Sequence, residues 1–423
     1  MVDTTRRSVL GAAAGLAGVP LIGAASAAEG QPAPLLGHVE NGKVVLPSLR
    51  APSEGSETLP NPDPLPRRLG IAVVGIGHLT LEQIMPGFAE ARHVKPVALV
   101  SGNRDKARTI AAQYGVPDKN LYDYAGFDAI RDNPEIEAVY IVLPNAMHAE
   151  FTERAARAGK HVLCEKPMAT SVAEAERMVT ACRQAGRKLM IAYRLQYNVA
   201  HRSLVDLARR KVFGELRLIE AVNTQHDAAP GQWRQIKALA GGGSLPDIGL
   251  YCLSAFRYIT GEEPVEVTGR ITQPRNDPRF REIEDVSQFT LQFPSGVFAT
   301  GTAGYSMHES RRLRAVATEG WFGLDPAFSY NNLAMEIGHR AGPATAQERR
   351  VFAPRNQFAV EMDHFAQCIR ADREPHTAGE EGLQDQRIMA AIYEAALGGG
   401  VVKMPASDRL DATRGPLPEE QGG

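Results

Sequence analysis

The sequence has little cysteine and little net charge, and it has no long apolar run. Four of its 423 residues are cysteine and none forms a Cys-x-x-Cys pair, which excludes a disulfide scaffold. Lys plus Arg is 47 and Asp plus Glu is 49, a net charge of −2, so the electrostatic footprint of a nucleic-acid-binding protein is absent. No apolar run reaches the roughly 18 residues of a membrane-spanning helix. These absences predict a soluble enzyme without a nucleic-acid partner or a membrane span.

Metal-binding patterns are missing as well. The 11 histidines are scattered, and no His-Glu-x-x-His pattern occurs among them. The four cysteines stand in apolar contexts, which favours buried free thiols over ligands or bridges. We therefore predict no metal site.

The N-terminus has the features of an export signal. Residues 5–10 read Thr-Arg-Arg-Ser-Val-Leu, which is similar to a twin-arginine signal except for Val9, where that motif prefers Phe. An uncharged stretch, residues 8–23, follows, and Ala25-Ser26-Ala27 offers small residues for cleavage. Residues 1–28 therefore predict twin-arginine export to the periplasm. The alternatives are a Sec signal after a chance arginine pair, or a fraying helix.

Residues 29–68 form a proline-rich arm without aromatic residues. This composition favours extended, polyproline-like conformation and cannot build a core. Composition leaves open whether the arm is a disordered linker or lies across another surface.

From residue 69 to residue 193, short apolar segments alternate with helical ones. The predicted strands are 71–74, 96–100, 137–143, 161–164 and 188–193, with helices at 150–158 and 172–185. Apolar strands that alternate with helices indicate a parallel sheet covered on both faces. The fold class is therefore α/β, with a Rossmann dinucleotide-binding domain over residues 69–193.

After residue 193 the segments become β-rich and closely spaced. The predicted strands are 216–224, 265–272, 286–293 and 297–305, and the predicted helices lie near 246–259, 357–371 and 380–396. Pro294-Ser295-Gly296 is typical of a hairpin turn. We predict an α+β domain with a mostly antiparallel sheet over 194–405 and a tail over 406–423.

A glycine turn closes the first strand of the Rossmann domain. Gly75 and Gly77 permit a tight turn and the close approach of a pyrophosphate, with His78 and Leu79 opening the helix that follows. Thr80 replaces the third glycine of the fingerprint, so the motif is incomplete. The turn predicts a dinucleotide site.

The end of the second strand favours NADP over NAD. An NAD enzyme places Asp or Glu there to hold the ribose hydroxyls. This chain has Ser101, Arg104 and Lys106, with Asp105 displaced down the chain, which suits a 2′-phosphate better. The alternative is that Arg104 and Lys106 are solvated helix residues.

Two motifs carry a resemblance to a known family. Cys164-Glu-Lys-Pro167, with Leu143-Pro-Asn145-x-x-His148 upstream, resembles the glucose-fructose oxidoreductase/inositol dehydrogenase (Gfo/Idh/MocA) family over about residues 69–400. Residues 100–103, 232–234 and 240–251 are more similar to its glucose-fructose and aldose-aldose oxidoreductase branch.

The resemblance implies a sugar oxidoreductase with tightly bound NADP that couples oxidation of an aldose to reduction of a second sugar. It implies a homo-oligomer, dimer or tetramer, in which the arm embraces a neighbouring subunit and covers its cofactor. It also implies further cofactor contacts, which fall on Tyr124, Asn145, His148, Glu165, Lys166, Arg194, Trp233, Arg234 and Tyr330. Without the family resemblance, these residues can be interpreted as structural, for example as core aromatic residues or as members of salt bridges.

Lys166, Asp247 and Tyr251 are the candidate catalytic residues. Lys166 stands at the carboxyl end of a predicted strand, where doubly wound sheets bind ligands. Asp247 and Tyr251 are four residues apart and share one face of a helix. The family pattern is implied to be Asp-x-x-x-His, and Tyr251 stands at the His position, as in the glucose-fructose branch. A nearby ammonium would favour the phenolate that a base requires. The alternative is a core tyrosine bonded to Asp247.

Three functions remain open at this point. The first is the coupled sugar oxidoreductase, whose cofactor must be retained because a periplasm supplies no free NADP. The second is a cytoplasmic NADP-dependent sugar dehydrogenase with an exchangeable cofactor. The third is a sugar-binding protein on a retired dehydrogenase fold, which intact Lys166, Asp247 and Tyr251 disfavour.

Overall fold

The computed structural model describes residues 38–40, 43–45, 62–226 and 231–417. The chain divides into two units, one of residues 1–61 with 421–423 and the other of residues 62–420. In the first unit, strands β1 (His38–Glu40) and β2 (Lys43–Val45) pair antiparallel, so the predicted arm contains a short hairpin. The predicted export signal, residues 1–28, lies outside the described residues.

The last residues of the predicted arm belong to the larger unit. Asp63 accepts a hydrogen bond from the His93 ring at 2.7 Å and pairs with Arg370 at 2.6 Å. A 3₁₀ turn, Leu65–Arg67, then leads into the first strand of the larger unit. The larger unit therefore begins at residue 62, and residues 62–68 of the predicted arm belong to it.

The N-terminal part of the larger unit is a six-stranded parallel sheet with the order β5-β4-β3-β6-β7-β8. Its strands are β3 (Leu69–Val74), β4 (Val94–Val100), β5 (Leu121–Tyr122), β6 (Ala138–Ile141), β7 (His161–Glu165) and β8 (Leu189–Ala192). Its helices are α1 (Met85–Glu90), α2 (Arg104–Tyr114), α3 (His148–Arg157) and α4 (Val172–Gln184). The predicted Rossmann fold is confirmed.

The strands of this sheet are as deeply buried as a parallel sheet requires. Every residue of β3 and β6 is buried, as expected for strands that helices cover on both faces. Because the strands are parallel, their carboxyl ends lie at one edge of the sheet, where ligands bind in such folds.

The C-terminal part contains a nine-stranded sheet with the order β16-β15-β14-β13-β9-β12-β11-β10-β17. Its strands are β9 (Leu216–His226), β10 (Glu266–Thr272), β11 (Val286–Gln292), β12 (Phe298–Gly304), β13 (Ser306–Ala317), β14 (Gly320–Leu324), β15 (Ala334–Ala341), β16 (Ala344–Val351) and β17 (Val402–Lys403). The helices are α5 (Val199–Arg209), α6 (Lys237–Ala240), α7 (Leu250–Thr260), α8 (Gln357–Arg370) and α9 (Gly379–Gly398). Only β9 and β12 pair in parallel among these described strands, so the mostly antiparallel sheet is confirmed.

Helix α8 belongs to the predicted second domain in sequence, but it packs against the Rossmann domain. Phe358, Met362 and Phe365 belong to one apolar cluster with Leu69 and Phe88 of the Rossmann domain. The Asp363 carboxylate accepts the backbone N–H groups of residues 92 and 93 at 2.7–3.0 Å. Helix α1 continues directly from a π-helical turn, Thr80–Ile84, and α8 of the second domain packs on the same apolar cluster as α1.

The predicted tail is partly built into the second domain. The Arg414 side chain is 0% exposed and donates from Nε to Glu381 at 3.2 Å. Glu381 also pairs with the buried Arg257 of α7 at 2.8 Å. Residues up to Arg414 therefore complete a buried ion network, and the domain extends beyond the predicted end at 405.

Within the described residues, no helix is both long and apolar enough to cross a membrane. In the same part of the chain, no group of three or more His, Cys, Asp or Glu side chains is arranged to hold a metal ion. The four cysteines are buried free thiols.

Candidate active site

A cleft of about 680 Å³ lies at the carboxyl ends of β3, β4, β6 and β7 and extends to residues of β9, α7 and β13. Most of the predicted site residues line it, namely Gly75, Gly77, His78, Leu79, Ser101, Lys106, Tyr124, Asn145, Glu165, Lys166, Arg194, Trp233, Arg234, Asp247, Tyr251 and Tyr330. The two that do not are Arg104 and His148. The cleft therefore brings the predicted cofactor and catalytic residues together.

The glycine turn leaves room for a ligand backbone to approach. Gly75 has φ +99°, and a Cβ there would lie 2.2 Å from the Val142 carbonyl oxygen, so only glycine fits. A Cβ at Gly77 would meet nothing within 4 Å, so that position borders open space. Thr80, which replaces the third glycine, is buried and donates its hydroxyl to the Gly75 carbonyl at 2.7 Å. The threonine therefore braces the turn.

The end of the cleft near β4 suits a phosphate group. The Ser101 hydroxyl accepts the Asn103 N–H at 3.1 Å, and Asn103 caps helix α2. The side chain of Lys106 lines the cleft, and the Tyr124 ring packs beside Gly102. Among the described lining residues the only carboxylates are Glu165 and Asp247, neither of them at this end.

Arg104 and His148 lie elsewhere than expected. Arg104 is exposed at the first position of α2 and does not line the cleft. His148 is 0% exposed, and its ring nitrogens lie 2.9 Å from the carbonyl oxygens of Leu143 and Pro167. Burial lowers the pKa of His148, and the ring lies between these two backbone segments behind the cleft. It supports the Lys166 loop and does not reach the cofactor site.

Lys166 and Asp247 form a buried ion pair. The Lys166 Nζ lies 3.2 Å from Asp247 Oδ1 and donates to the Asp247 carbonyl at 2.8 Å. Arg234 pairs with the other carboxylate oxygen at 3.2 Å. Burial would raise the pKa of Asp247, but Lys166 and Arg234 hold it well below its usual range. Burial would lower the pKa of Lys166, but the charges of Tyr251, Asp247 and Glu165 keep it above its usual value.

Tyr251 lies between two cations. The Lys166 Nζ is 4.7 Å from the centre of its ring, and the Arg194 guanidinium is also 4.7 Å away. The Arg194 Nε donates to the Tyr251 hydroxyl at 3.2 Å. The hydroxyl of Tyr251 therefore lies within hydrogen-bonding distance of Arg194, and its ring lies beside the Lys166 ammonium.

Arg194 organises the wall of the cleft. It stacks on the Tyr330 ring at 4.5 Å and donates to the Phe328 carbonyl at 2.7 Å and to Gln357 at 3.0 Å. Sequence reasoning gave Arg194 a cofactor contact. The structure places it in the cleft, where it also donates to the Tyr251 hydroxyl.

Glu165 and Asn145 anchor the loops on the Rossmann side. Glu165 is buried and accepts the Tyr140 hydroxyl at 2.9 Å and the Lys166 N–H at 3.2 Å. Burial raises the pKa of Glu165. The Asn145 amide donates to the Ala240 carbonyl at 2.8 Å, which joins the Rossmann domain to the segment before Asp247.

Sequence reasoning missed Tyr305. Its buried hydroxyl donates to Asp247 Oδ2 at 2.8 Å, so Asp247 has a third partner. Alternating burial in β12 places Ala299, Gly301 and Ala303 toward the core, and Tyr305 continues that face. This alternation was readable from the sequence, but the contact with Asp247 spans 58 residues and leaves no local spacing signal.

Comparisons with known proteins show which family the chain belongs to. The model of an oxidoreductase family with an NAD-binding Rossmann fold, GFO/IDH/MocA, matches residues 69–193. The model of the GFO/IDH/MocA C-terminal domain matches residues 201–323. The chain belongs to this family. It is therefore an oxidoreductase, as the resemblance in the sequence indicated.

Solved structures and a curated relative are similar to this chain over about four fifths of its length. An aldose-aldose oxidoreductase from Caulobacter crescentus, complexed with glycerol, is 46% identical with a TM-score of 0.77, over 80% of this chain and 100% of that one. A 3-ketoreductase from Actinomadura kijaniata, in complex with NADP and TDP-benzene, is 25% identical with a TM-score of 0.69, over 78% and 98%. A curated relative, D-xylose 1-dehydrogenase [NADP(+)] from Haloarcula marismortui, is 33% identical over 77% of this chain and 90% of its own.

Proposed function

We propose that the protein is a sugar oxidoreductase with tightly bound NADP(H). It oxidises an aldose to its lactone, and it reduces a second sugar, a ketose or an aldose, to the alditol by ping-pong hydride transfer. The aldose-aldose oxidoreductase with 46% identity supports the substrate class. The observation that carries the proposal is the Lys166–Asp247–Tyr251 cluster in one cleft with the glycine turn.

The residues of the cleft fit NADP. Gly75 and Gly77 leave space for a pyrophosphate, and Ser101 with Lys106 would hold a 2′-phosphate where no described carboxylate lines the wall. When bound, NADP would accept hydride from the anomeric carbon of a sugar and later return it. Two relatives whose names or complexes specify NADP support this choice.

Tyr251 would manage the proton of the reaction. Its phenol oxygen takes the proton of the anomeric hydroxyl during oxidation and gives a proton to the carbonyl oxygen during reduction. Lys166 and Arg194 lie against its ring or its hydroxyl, so both cations are placed to offset negative charge that develops on the phenol oxygen during proton transfer. Asp247 fixes the position of the Lys166 ammonium.

A second candidate is an NADP-dependent sugar dehydrogenase with an exchangeable cofactor. The D-xylose 1-dehydrogenase relative favours it. Product analysis separates the two functions. Dialysed protein given D-glucose and D-fructose without added nucleotide should form lactone and alditol in equal amounts, whereas the dehydrogenase would form neither in more than a single turnover.

Ser101→Asp tests the choice of NADP. A carboxylate at this position would repel a 2′-phosphate, so we expect the purified variant to retain less NADP than the wild-type protein. Mass spectrometry of the denatured protein measures the NADP content of both proteins. Unchanged retention would remove Ser101 from the site, and a wild-type protein that carries only NAD would contradict the cofactor assignment.

The proposal links the export of the protein to the periplasm with the retention of its cofactor. The twin-arginine route exports folded proteins, so a cofactor could be loaded in the cytoplasm and kept in the periplasm. The residues that carry this idea, 1–28, lie outside the described part of the chain. Fractionation of cells that produce the wild type and a variant with Arg6 and Arg7 both replaced by Lys tests the location.

The arm is proposed to retain the cofactor. Deletion of residues 29–60 should leave the catalytic domains folded, because the ordered larger unit begins at residue 62. We expect the truncated enzyme to release NADP, to respond to added NADP and to lose its self-contained sugar coupling on dilution. Dissociation rates of NADP from the full-length and truncated proteins decide this. Equal NADP dissociation rates would indicate that the arm is a linker without a role in cofactor retention.

The second sheet offers a surface for a homo-oligomer. Leu218 pairs in register with Phe298 on one side and with Val316 on the other, and Val316 pairs with Trp321. These four side chains form an apolar row across four strands, partly exposed on one face, with Phe298 47% exposed. We propose that this row contacts another subunit, which sedimentation of the wild type and of Phe298→Glu tests.

A further inference from the structure

The helix that carries the catalytic residues has no cap of its own. One π-helical turn, Leu245–Gly249, leads into α7, and the preceding Ser244 accepts no hydrogen bond from the first turn through its side chain. The first N–H groups of a helix need acceptors from outside the helix. Here they find one in Glu284, which lies in the segment just before β11.

Glu284 reaches both sides of the helix start. Its Oε2 accepts the Gly243 N–H at 2.8 Å, and its Oε1 accepts the Leu245 N–H at 2.9 Å. A carboxylate at a helix N-terminus is also favoured by the helix dipole. Asp247 follows Leu245 by two residues, and Tyr251 lies about one turn further on, so this carboxylate fixes the start of the segment that holds both.

The residues around Glu284 support its contact with the start of the helix. The residue is 5% exposed, and the Tyr393 hydroxyl of α9 donates to its Oε1 at 2.8 Å. A Cβ at Gly243 would lie 2.0 Å from the Glu284 carbonyl oxygen, and a Cβ at Gly242 would lie 2.1 Å from the Tyr393 hydroxyl. The glycine run before Asp247 is therefore required for the close approach of Glu284 and Tyr393.

We propose that Glu284 is a positioning residue, which holds Asp247 and Tyr251 in the geometry that hydride and proton transfer require. This inference rests on the proposed function. The other end of the same helix is held separately, since Arg257 donates to both oxygens of Glu263 at 2.8 Å. Glu263 is 4% exposed and does not line the cleft, so it provides a matched control.

Glu284→Gln keeps the size of the side chain but turns an NH₂ group toward a backbone N–H. At least one of the two cap bonds is lost, and small displacements at a reacting centre cost large factors in rate. We expect kcat with D-glucose to fall about 10-fold or more, with KM and cofactor content changed less than about 2-fold. We also expect the primary isotope effect with C1-deuterated D-glucose to rise, because the chemical step becomes slower.

The control separates positioning from stability. Glu263→Gln should lower the melting temperature and leave kcat and the isotope effect unchanged. Tyr393→Phe removes one donor to Glu284 and keeps the two cap bonds, so it should shift kcat and the isotope effect in the same direction by a smaller factor. If Glu284→Gln does not fold, Tyr393→Phe alone decides, and an unchanged isotope effect in it would overturn the proposal.

Other outcomes are distinguishable as well. If Glu284→Gln matches the wild type in kcat per loaded enzyme, the positioning role is wrong while the proposed function stands. If the wild type itself does not oxidise D-glucose or D-xylose, the proposed function is wrong. In that case hydrogen exchange decides the positioning role. The amides of residues 243–249 should exchange faster in Glu284→Gln than in Glu263→Gln, and equal rates would overturn it.

Discussion

Tyr251→Phe is expected to lower kcat by about 10²-fold or more, the scale of general acid–base catalysis. The substitution removes the oxygen that exchanges the proton and keeps the ring that Lys166 and Arg194 contact. Cofactor content should therefore stay near normal. Steady-state rates with an aldose, together with the NADP content of the purified variant, check both expectations.

A tyrosine of the same helix serves as the control. Tyr258 is 2% exposed, and its hydroxyl has no hydrogen-bond partner among the described residues, so Tyr258→Phe should leave the rate unchanged. Loss of cofactor together with activity in Tyr251→Phe would support a structural tyrosine. A rate within about 3-fold of the wild type would exclude Tyr251 as the acid/base.

Lys166→Met is expected to reduce kcat/KM by about 10²–10³-fold, the scale seen when one preorganised electrostatic donor is removed. The ammonium contacts Asp247 through two oxygens and lies against the Tyr251 ring, so its loss affects substrate positioning and the phenolate together. Initial rates over a range of sugar concentrations measure the change.

A buried lysine away from the cleft separates this effect from a general loss of stability. Lys160 is 7% exposed and donates to the Asn133 carbonyl at 3.0 Å. Lys160→Met should lower the melting temperature while kcat/KM stays close to that of the wild type. Equal losses in the two variants would contradict a role of Lys166 at the reacting centre.

Local patterns predicted the strands and helices that lead to the site. Apolar strands that alternate with helices predicted the Rossmann domain between residues 69 and 193. The predicted turn at residues 294–296 joins β11 to β12, which pair antiparallel. The sheet is larger than expected. Two of its unpredicted strands, β13 and β16, carry several charged residues and lack a clear apolar alternation. Helix α5 was also not predicted.

Long-range contacts account for the differences at the site. The motif residues Gly75, Lys166 and Asp247 do meet in one cleft, since each stands at the end of a strand or the start of a helix. The role of His148 depends on the carbonyl group of Leu143 in its own loop and on that of Pro167 in another loop, and the sequence does not show the second contact. Tyr305 and Glu284 act on the Asp247 segment from about 40 to 60 residues away, and the fold alone brings them there.

The same reasoning explains two contacts of the second domain that were not predicted. Helix α8 is amphipathic, but its sequence does not say that its apolar face packs against the Rossmann domain. Arg414 is a single charged residue in a polar stretch, and only the buried Glu381 and Arg257 reveal why it is enclosed. Burial of a charged group needs a partner, and the partner here is remote in sequence.

Retention of a working cofactor is the central claim, and one absorbance measurement tests it most directly. The protein is dialysed extensively, and its near-ultraviolet spectrum is recorded before and after addition of D-glucose, with no nucleotide added. The account predicts that the band of reduced nicotinamide appears with D-glucose and disappears when D-fructose or a second aldose is added. A spectrum that stays flat, with turnover only after NADP is supplied, would contradict it and identify an ordinary dehydrogenase.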